Sequence, residues 1–376
     1  MDWSQWRRHF PVCQHWVFLD HAAVAPLPDR CASRVCEQAI SLSQNGIAAY
    51  QEWHQHVENA RTACAQLLNA HRHDIAFVGS TTAGINAIAE GFSWRAGDNV
   101  VLPAEEYPSN QYPWLNLAPL GVECRRVPSR GSRIALDDLL NAIDSKTRVL
   151  TISAIEFASG YRNDVIRLGE ECRKRGIFFF VDAIQALGAF QWDVQNLPVD
   201  ALAADGHKWL LGPEGAGILW VRPEALNQLR PIGVGWNSVR HASDFSTIDP
   251  TWKADARRYE GGTLNVAGTA GLGESVRLLL EAGMPQIEKR ILELTDYLCE
   301  QAPRFGLSVF SSREPEEKSG IVSLLTPERD PKELMQRCRQ GGVIVNVRAG
   351  RLRISPHAYN SFDDLDQFLS LLGPST

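Results

Sequence analysis

The sequence predicts an α/β protein: a large unit built on a mostly parallel sheet, followed by a smaller α+β unit. Three features carry that expectation. From residue 75 to 221, short apolar runs rich in β-branched and aromatic residues alternate with helical patterns, as in successive βαβ units. One of those runs, residues 177–181 (IFFFV), is apolar at every position, which suits a strand covered on both faces. Beyond Trp220 the alternation fades, and 376 residues exceed what a single core usually organises. The expected division is a large unit over residues 17–257 and a smaller one made of 1–16 and 258–376.

The first 16 residues read as an amphipathic segment laid on another part of the chain. Residues 18–28 (FLDHAAVAPLP) are extended, and residues 29–70 show helical periodicity for two helices. Residues 75–92 (IAFVGSTTAGINAIAEGF) pass from an apolar strand through Gly79, Ser80, Thr81 and Thr82 into a helix. Such a turn puts hydroxyls and unpaired backbone N–H groups at a helix N-terminus, a ready anion site; an ordinary Ser/Thr cap is the alternative. Residues 98–114 give a strand, a Pro-broken turn and a helix. Strand VECRRV, helix LDDLLNAI and strand TRVLTISAI follow, and residues 153–176 cross over to the IFFFV strand, which stops at Asp182. A second apolar segment, 201–204, stops at Asp205, Gly206, His207 and Lys208. Residues 234–251 are loop-rich, and a long helix opens after Gly261, Gly262 and Thr263. The remainder alternates helices with LSVF, GIVSLLT, GGVIVNV and RLRISPH, as in an antiparallel sheet covered by helices.

Hydrophobic residues at 44%, charged residues at 22% and a net charge of −6 describe a soluble globular chain without the concentrated basic face that nucleic acid requires. Every apolar run is too short to span a bilayer, and the start (MDWSQWRRHFPVCQHW) lacks a signal-peptide core, so a cytoplasmic protein is expected. The eight cysteines are scattered, with no CxxC pair and no zinc-ligand spacing, and read as free thiols.

The chemistry lies at two strand ends. In open α/β sheets the carboxyl ends of strands face the ligand crevice. Asp182 and Lys208, 26 residues apart, are delivered there. An acid and a lysine so placed suit pyridoxal 5′-phosphate, which needs a lysine for its Schiff base and an acid to keep its pyridine nitrogen protonated. The phrase FFFVDAIQALG followed by DGHKWLLGPEGAGILWV resembles the core signature of the class V aminotransferases. That family has the pyridoxal-phosphate-dependent, aspartate-aminotransferase-like fold with a seven-stranded sheet. It includes cysteine desulfurases, selenocysteine lyases, isopenicillin N epimerases and kynureninases.

The resemblance extends over nearly the whole chain and implies further roles. Thr81 and Thr82, with His207, would hold the cofactor phosphate. Tyr107, just after a strand, matches an aromatic residue stacked on the pyridine ring, although packing in the core or at an interface is its alternative. Thr263, in RRYEGGTLN, matches a threonine that reaches the neighbouring subunit's phosphate, implying a homodimer with shared active sites; a turn and helix cap is its alternative. Arg353, in RLRISPHAYN, matches the arginine that grips the substrate carboxylate, a task suited to its planar fork. Arg351 competes, since strand alternation points both the same way. His21, in the FLDHAA phrase, either lines the substrate pocket or caps a turn. Two departures stand out. Where desulfurases carry an asparagine near the cofactor's phenolic oxygen, this chain has Phe157, which leaves Gln185 for that contact. Asp205 replaces a small hydroxyl residue of the phosphate cup, where an ionised acid would be repelled.

The expected activity is therefore chemistry at Cα of an amino acid or small amine, with Lys208 as Schiff-base lysine and base, Asp182 protonating the ring and Arg353 orienting the substrate. The main reading is an aminotransferase. A C–S or β-lyase or an epimerase is the alternative, and a non-catalytic cofactor-binding protein the third. No cysteine follows Cys338, which lies at a helix end before strand GGVIVNV, so a persulfide-forming desulfurase is disfavoured.

Overall fold

A computed structural model describes residues 1–373. Its centre is a seven-stranded sheet in the order Ile75–Val78, Gly217–Val221, Ala201–Asp205, Phe178–Asp182, Thr147–Ser153, Asn99–Pro103, Glu123–Val127. Every neighbouring pair is parallel except the two that involve Gly217–Val221. The sheet is buried on both faces, and the twofold alternation of strand side chains divides its core. Phe179, Val181, Leu202 and Ala204 enter one apolar cluster, whereas Phe178, Phe180, Ala201 and Ala203 enter the other. That is why the IFFFV run shows no polar position.

The two expected N-terminal helices are Asp29–Asn45 and Tyr50–Leu68, and the helix Val266–Ala282 packs on both. Small residues permit the approach: a Cβ on Gly273 would lie 2.7 Å from Cβ of Ala60. The first residues form a short helix, Trp3–Trp6, whose Trp6 joins Phe10 against Tyr359.

A third apolar cluster lies beyond this body. It joins Leu294 and Leu298 of the helix Met284–Gln301 to Val322, Leu324, Leu352 and Ile354, and to Phe368 of the helix Phe362–Leu372. These cover a four-stranded antiparallel sheet in the order Asn346–Arg348, Arg351–Ile354, Val322–Leu325, Ser308–Val309. The expected single strand GGVIVNV is two: Val343–Ile344 pairs in parallel with Val17–Phe18, and Asn346–Arg348 joins the antiparallel sheet. Val17 and Leu19 thus belong to the third cluster, while the 266–282 helix belongs with the large sheet. We propose that the smaller unit begins near Gly283 and takes in residues 17–19, in place of a boundary at 257/258.

Candidate active site

Strands Phe178–Asp182 and Ala201–Asp205 are parallel neighbours with Asp182 opposite Ala203, so their carboxyl ends open onto one cavity of ≈ 280 Å³. Asp182, Lys208, Gln185, Thr81, Thr82, His207, Tyr107 and Arg353 all border it; Thr263 does not. Asp182 is almost fully buried and accepts the N–H of Ile184 (3.1 Å). Burial pushes its carboxyl up to about 6, against the opposing pull of that N–H and of Lys208. Burial likewise pushes the Lys208 ammonium down to about 8, with Asp182 resisting and Arg353 assisting.

One wall is the turn from Ile75–Val78 into the helix Thr81–Gly91, where Ser80 caps the helix by accepting the N–H of Ala83 (3.1 Å). The Ser80 cap does not use up the turn: it takes one N–H, while Thr81 and Thr82 stand in the first turn and border the cavity. Thr82 Oγ1 donates to Ser109 Oγ (2.8 Å), and Thr81 Oγ1 accepts the N–H of Asp205 (2.9 Å). Asp205 borders the cavity, but its carboxylate is engaged on its own turn, by the Gly206 N–H at 2.8 Å and by His207 Nδ1 at 2.9 Å. A carboxylate at Nδ1 fixes the hydrogen there and orients the ring. This arrangement answers the repulsion expected of an acid at the phosphate cup.

The opposite wall is aromatic. Tyr107 is 44% exposed, its ring centroid 5.4 Å from Lys208 Nζ and edge-on to Phe157 at 5.2 Å. Packing in the core is thereby excluded for Tyr107, which faces the cavity. Gln185 Oε1 accepts the Trp209 indole N–H (2.8 Å) and Nε2 donates to the Ala22 carbonyl (3.1 Å), so its amide is fixed at the cavity edge. Arg353 is 1% exposed, donates to Asp20 Oδ1 (3.0 Å) and to the Phe157 carbonyl (2.9 Å), and keeps a buried Nε without a partner. Arg351, on the same strand, lies over the Phe310 ring at 3.8 Å and outside the cavity.

His21 does not line the cavity. It is fully buried, with Nδ1 to the Ser355 carbonyl (2.9 Å) and Nε2 to the Tyr359 hydroxyl (2.8 Å), while Ala22, Ala23 and Val24 take the cavity edge. Thr263 is exposed and precedes the helix capped by Asn265. The phrase before it is anchored by a buried ion pair: Glu260 holds Arg61 (2.6 Å) and accepts the Phe77 N–H (2.8 Å).

Sequence reading missed three groups. Arg348 borders the cavity beside Arg353. Glu106 and Glu156 are buried immediately before Tyr107 and Phe157. Glu106 accepts the N–H and hydroxyl of Ser153, the register partner of Asp182; Asn163 links the Ser153 carbonyl to Glu156 (2.9 Å each). Burial raises Glu106 to about 8 and Glu156 well above the carboxylate range, each assisted by its acidic neighbours. Both follow apolar strands, the same signal that singles out Asp182.

The donor set fits pyridoxal 5′-phosphate. An amine and a buried acid share one cavity, with hydroxyls at a helix N-terminus and an aromatic face beside them. The chain belongs to the class V aminotransferase family, whose model matches residues 17–368. It is similar to a probable cysteine desulfurase of Methanothermobacter thermautotrophicus, at 29% identity over 96% of this chain and 94% of the relative. It is also similar to the cysteine desulfurase CsdA of Escherichia coli, with TM-score 0.87 and 26% identity over 99% of this chain and 97% of that structure. The fold is shared, at TM-score 0.90 and 22% identity over 98% and 99%, with a C-DES mutant carrying glycine covalently linked to its pyridoxal phosphate. The chain is thus a pyridoxal-phosphate-dependent enzyme of class V, and pyridoxal 5′-phosphate is its cofactor. No helix among the described residues is long and apolar enough to cross a membrane.

Proposed function

We propose that this chain is a pyridoxal-phosphate-dependent C–S lyase that cleaves the Cβ–S bond of cysteine or a related sulfur amino acid without a thiol of its own. The names of the relatives favour sulfur chemistry over the aminotransferase reading. The observation that carries the thiol-free form is the cavity border, which includes Lys208, Asp182, Arg348 and Arg353 and no cysteine. Cys338 is buried in the third apolar cluster, its thiol pushed up to about 11 by burial.

When bound, the cofactor supplies an electron sink at Cα. The protein supplies the rest. Asp182, buried at the border of the cavity it shares with Lys208, would be the acid for the ring nitrogen. The N-terminal turn Thr81–Thr82 and the His207–Asp205 pair would hold the phosphate, and Gln185 the phenolic oxygen. Burial disfavours the charged form of Lys208, and a neutral Nζ is the form that accepts the Cα proton. As that proton moves to Nζ, the Cβ–S electron pair leaves with sulfur, and water then yields pyruvate and ammonium. We further propose a homodimer in which Thr263 of each subunit completes the partner's phosphate site, as the family resemblance implies.

The test is to supply L-cysteine and L-cystine to the holoenzyme with no keto acid. Pyruvate should appear with an equal amount of sulfide from L-cysteine, or of cysteine persulfide from L-cystine, and Cys338→Ala should retain that activity. Pyruvate formation that fails without a protein thiol, or turnover only with a keto-acid acceptor, overturns the proposal.

A further inference from the structure

Gln185 stands against Trp209, the residue that follows Lys208. Lys208 borders the cavity, whereas Trp209 does not and is fully buried in the apolar cluster of the large unit. The indole is closely confined. A Cβ on Gly320 would lie 2.5 Å from its Cη2, and a Cβ on Gly188 would collide with the Trp209 carbonyl. His357 Nδ1 accepts the Ala358 N–H (2.8 Å), so its Nε2 carries the hydrogen and donates to that same carbonyl (3.3 Å). With ring and backbone both held, the one polar atom of the side chain, Nε1, donates to Gln185 Oε1 (2.8 Å).

This contact decides which way round the Gln185 amide stands. An indole N–H can only donate, and a backbone carbonyl can only accept. Oε1 therefore faces Trp209 and Nε2 faces the Ala22 carbonyl (3.1 Å). Exchanging the two amide atoms would set N–H against N–H and oxygen against oxygen. Nε2 carries two hydrogens, of which Ala22 takes one; the other has no partner among the described residues. Gln185 is 3% exposed and borders the cavity, so an unused donor is held at the edge of the cofactor site. Without the indole N–H, Ala22 alone would orient the amide.

Resting on the reading of Gln185 as the contact for the cofactor's phenolic oxygen, we propose that Trp209 is a positioning residue that locks the Gln185 amide so that an N–H, and not its oxygen, meets that phenolic oxygen. The turn that carries the Schiff-base lysine thus also sets the polarity of a second group at the cofactor. A donor there draws charge from the phenolic oxygen and weakens its hold on the neighbouring Schiff-base proton; an amide oxygen in its place would do the reverse.

The test reads the pH midpoint of the holoenzyme's visible absorbance, where the Schiff-base proton is lost, with no substrate present. Trp209→Phe keeps an aromatic ring and removes the N–H; its midpoint should rise by about one unit, the tenfold shift that a lost charge-assisted hydrogen bond gives. Gln185→Leu, which removes the donor itself, should raise the midpoint at least as far. In the Gln185→Leu background, Trp209→Phe should add less than about 0.3 unit, because both changes act through one amide. The charged groups that border the cavity, Asp182, Asp205, His207, Lys208, Arg348 and Arg353, are the same in every variant. Should Trp209→Phe not fold, benzothienylalanine, with sulfur in place of the indole N–H, replaces tryptophan throughout, and should raise the midpoint in the wild-type chain but not in Gln185→Leu protein treated alike. A midpoint moved by Gln185→Leu and not by the loss of the indole N–H overturns the role of Trp209. Shifts that add in the double variant, as loosened packing would give, overturn it as well. Were Gln185→Leu to leave the midpoint in place, the reading of Gln185 as the phenolic contact would itself fail, and the role of Trp209 with it.

Discussion

Lys208→Met in the cofactor-free protein isolates the energetic cost of the buried Lys208 ammonium. Methionine keeps most of the stem and removes the charge. Burial lowers the Lys208 value from 10.5 to about 8 in the folded chain. Below pH 8 the amine is charged in both folded and unfolded chains, and folding then carries a penalty of about 3 kcal/mol. As pH rises from about 8 to 10.5 the folded form gives up its proton first, and the penalty shrinks to zero. The variant should therefore be more stable than the wild type by up to about 3 kcal/mol at pH 7. Asp182 returns part of this, because it loses a cationic neighbour that holds its carboxyl down. The gain should fall away above pH 8 and vanish near 10.5. Equilibrium urea unfolding of cofactor-stripped protein at pH 7, 8.5 and 10.5, followed by tryptophan fluorescence, measures it. A variant no more stable at pH 7, or one with the same gain at pH 10.5, would refute the view that a desolvated ammonium waits in this cavity for its cofactor.

Three further outcomes follow from the geometry. Glu260→Gln leaves the buried Arg61 guanidinium with Glu58 at its Nε (3.1 Å) as its remaining carboxylate partner and should cost about 3 kcal/mol by denaturant unfolding, whereas Arg61→Met with Glu260→Met should recover much of that loss. Asp205→Asn removes the carboxylate that orients His207 and should weaken cofactor retention by about tenfold in equilibrium dialysis, for a charge-assisted contact of the usual strength. Glu106, raised from 4.5 to about 8 by burial, charges only at a cost, so wild-type stability should decline as pH rises through that range. Glu106→Gln should flatten the decline in unfolding midpoints measured from pH 5 to 9.

Periodicity alone determined much of this protein. The apolar run 177–181 suits a strand covered on both faces, and the strand-to-helix turn at 79–82 places hydroxyls at a helix end. Because strand ends in a parallel sheet share one edge, Asp182 and Lys208 were brought together by reasoning from linear order. The family phrases then directed attention to Tyr107, Gln185 and Arg353, all of which border the cavity.

Tertiary structure decided what depends on contacts between distant segments. Nothing local to GGVIVNV says that the strand breaks at Val345, because the break answers to Val17–Phe18, more than 300 residues earlier. Nothing in Arg353 or Arg348 taken alone reveals which has a carboxylate beside it; Asp20 settles that from the far end of the chain. Asp205 reads as a misplaced charge until His207 is seen against it. A side chain's type and spacing fix which face it leaves by, but its charge state and freedom are set by neighbours that only folding supplies.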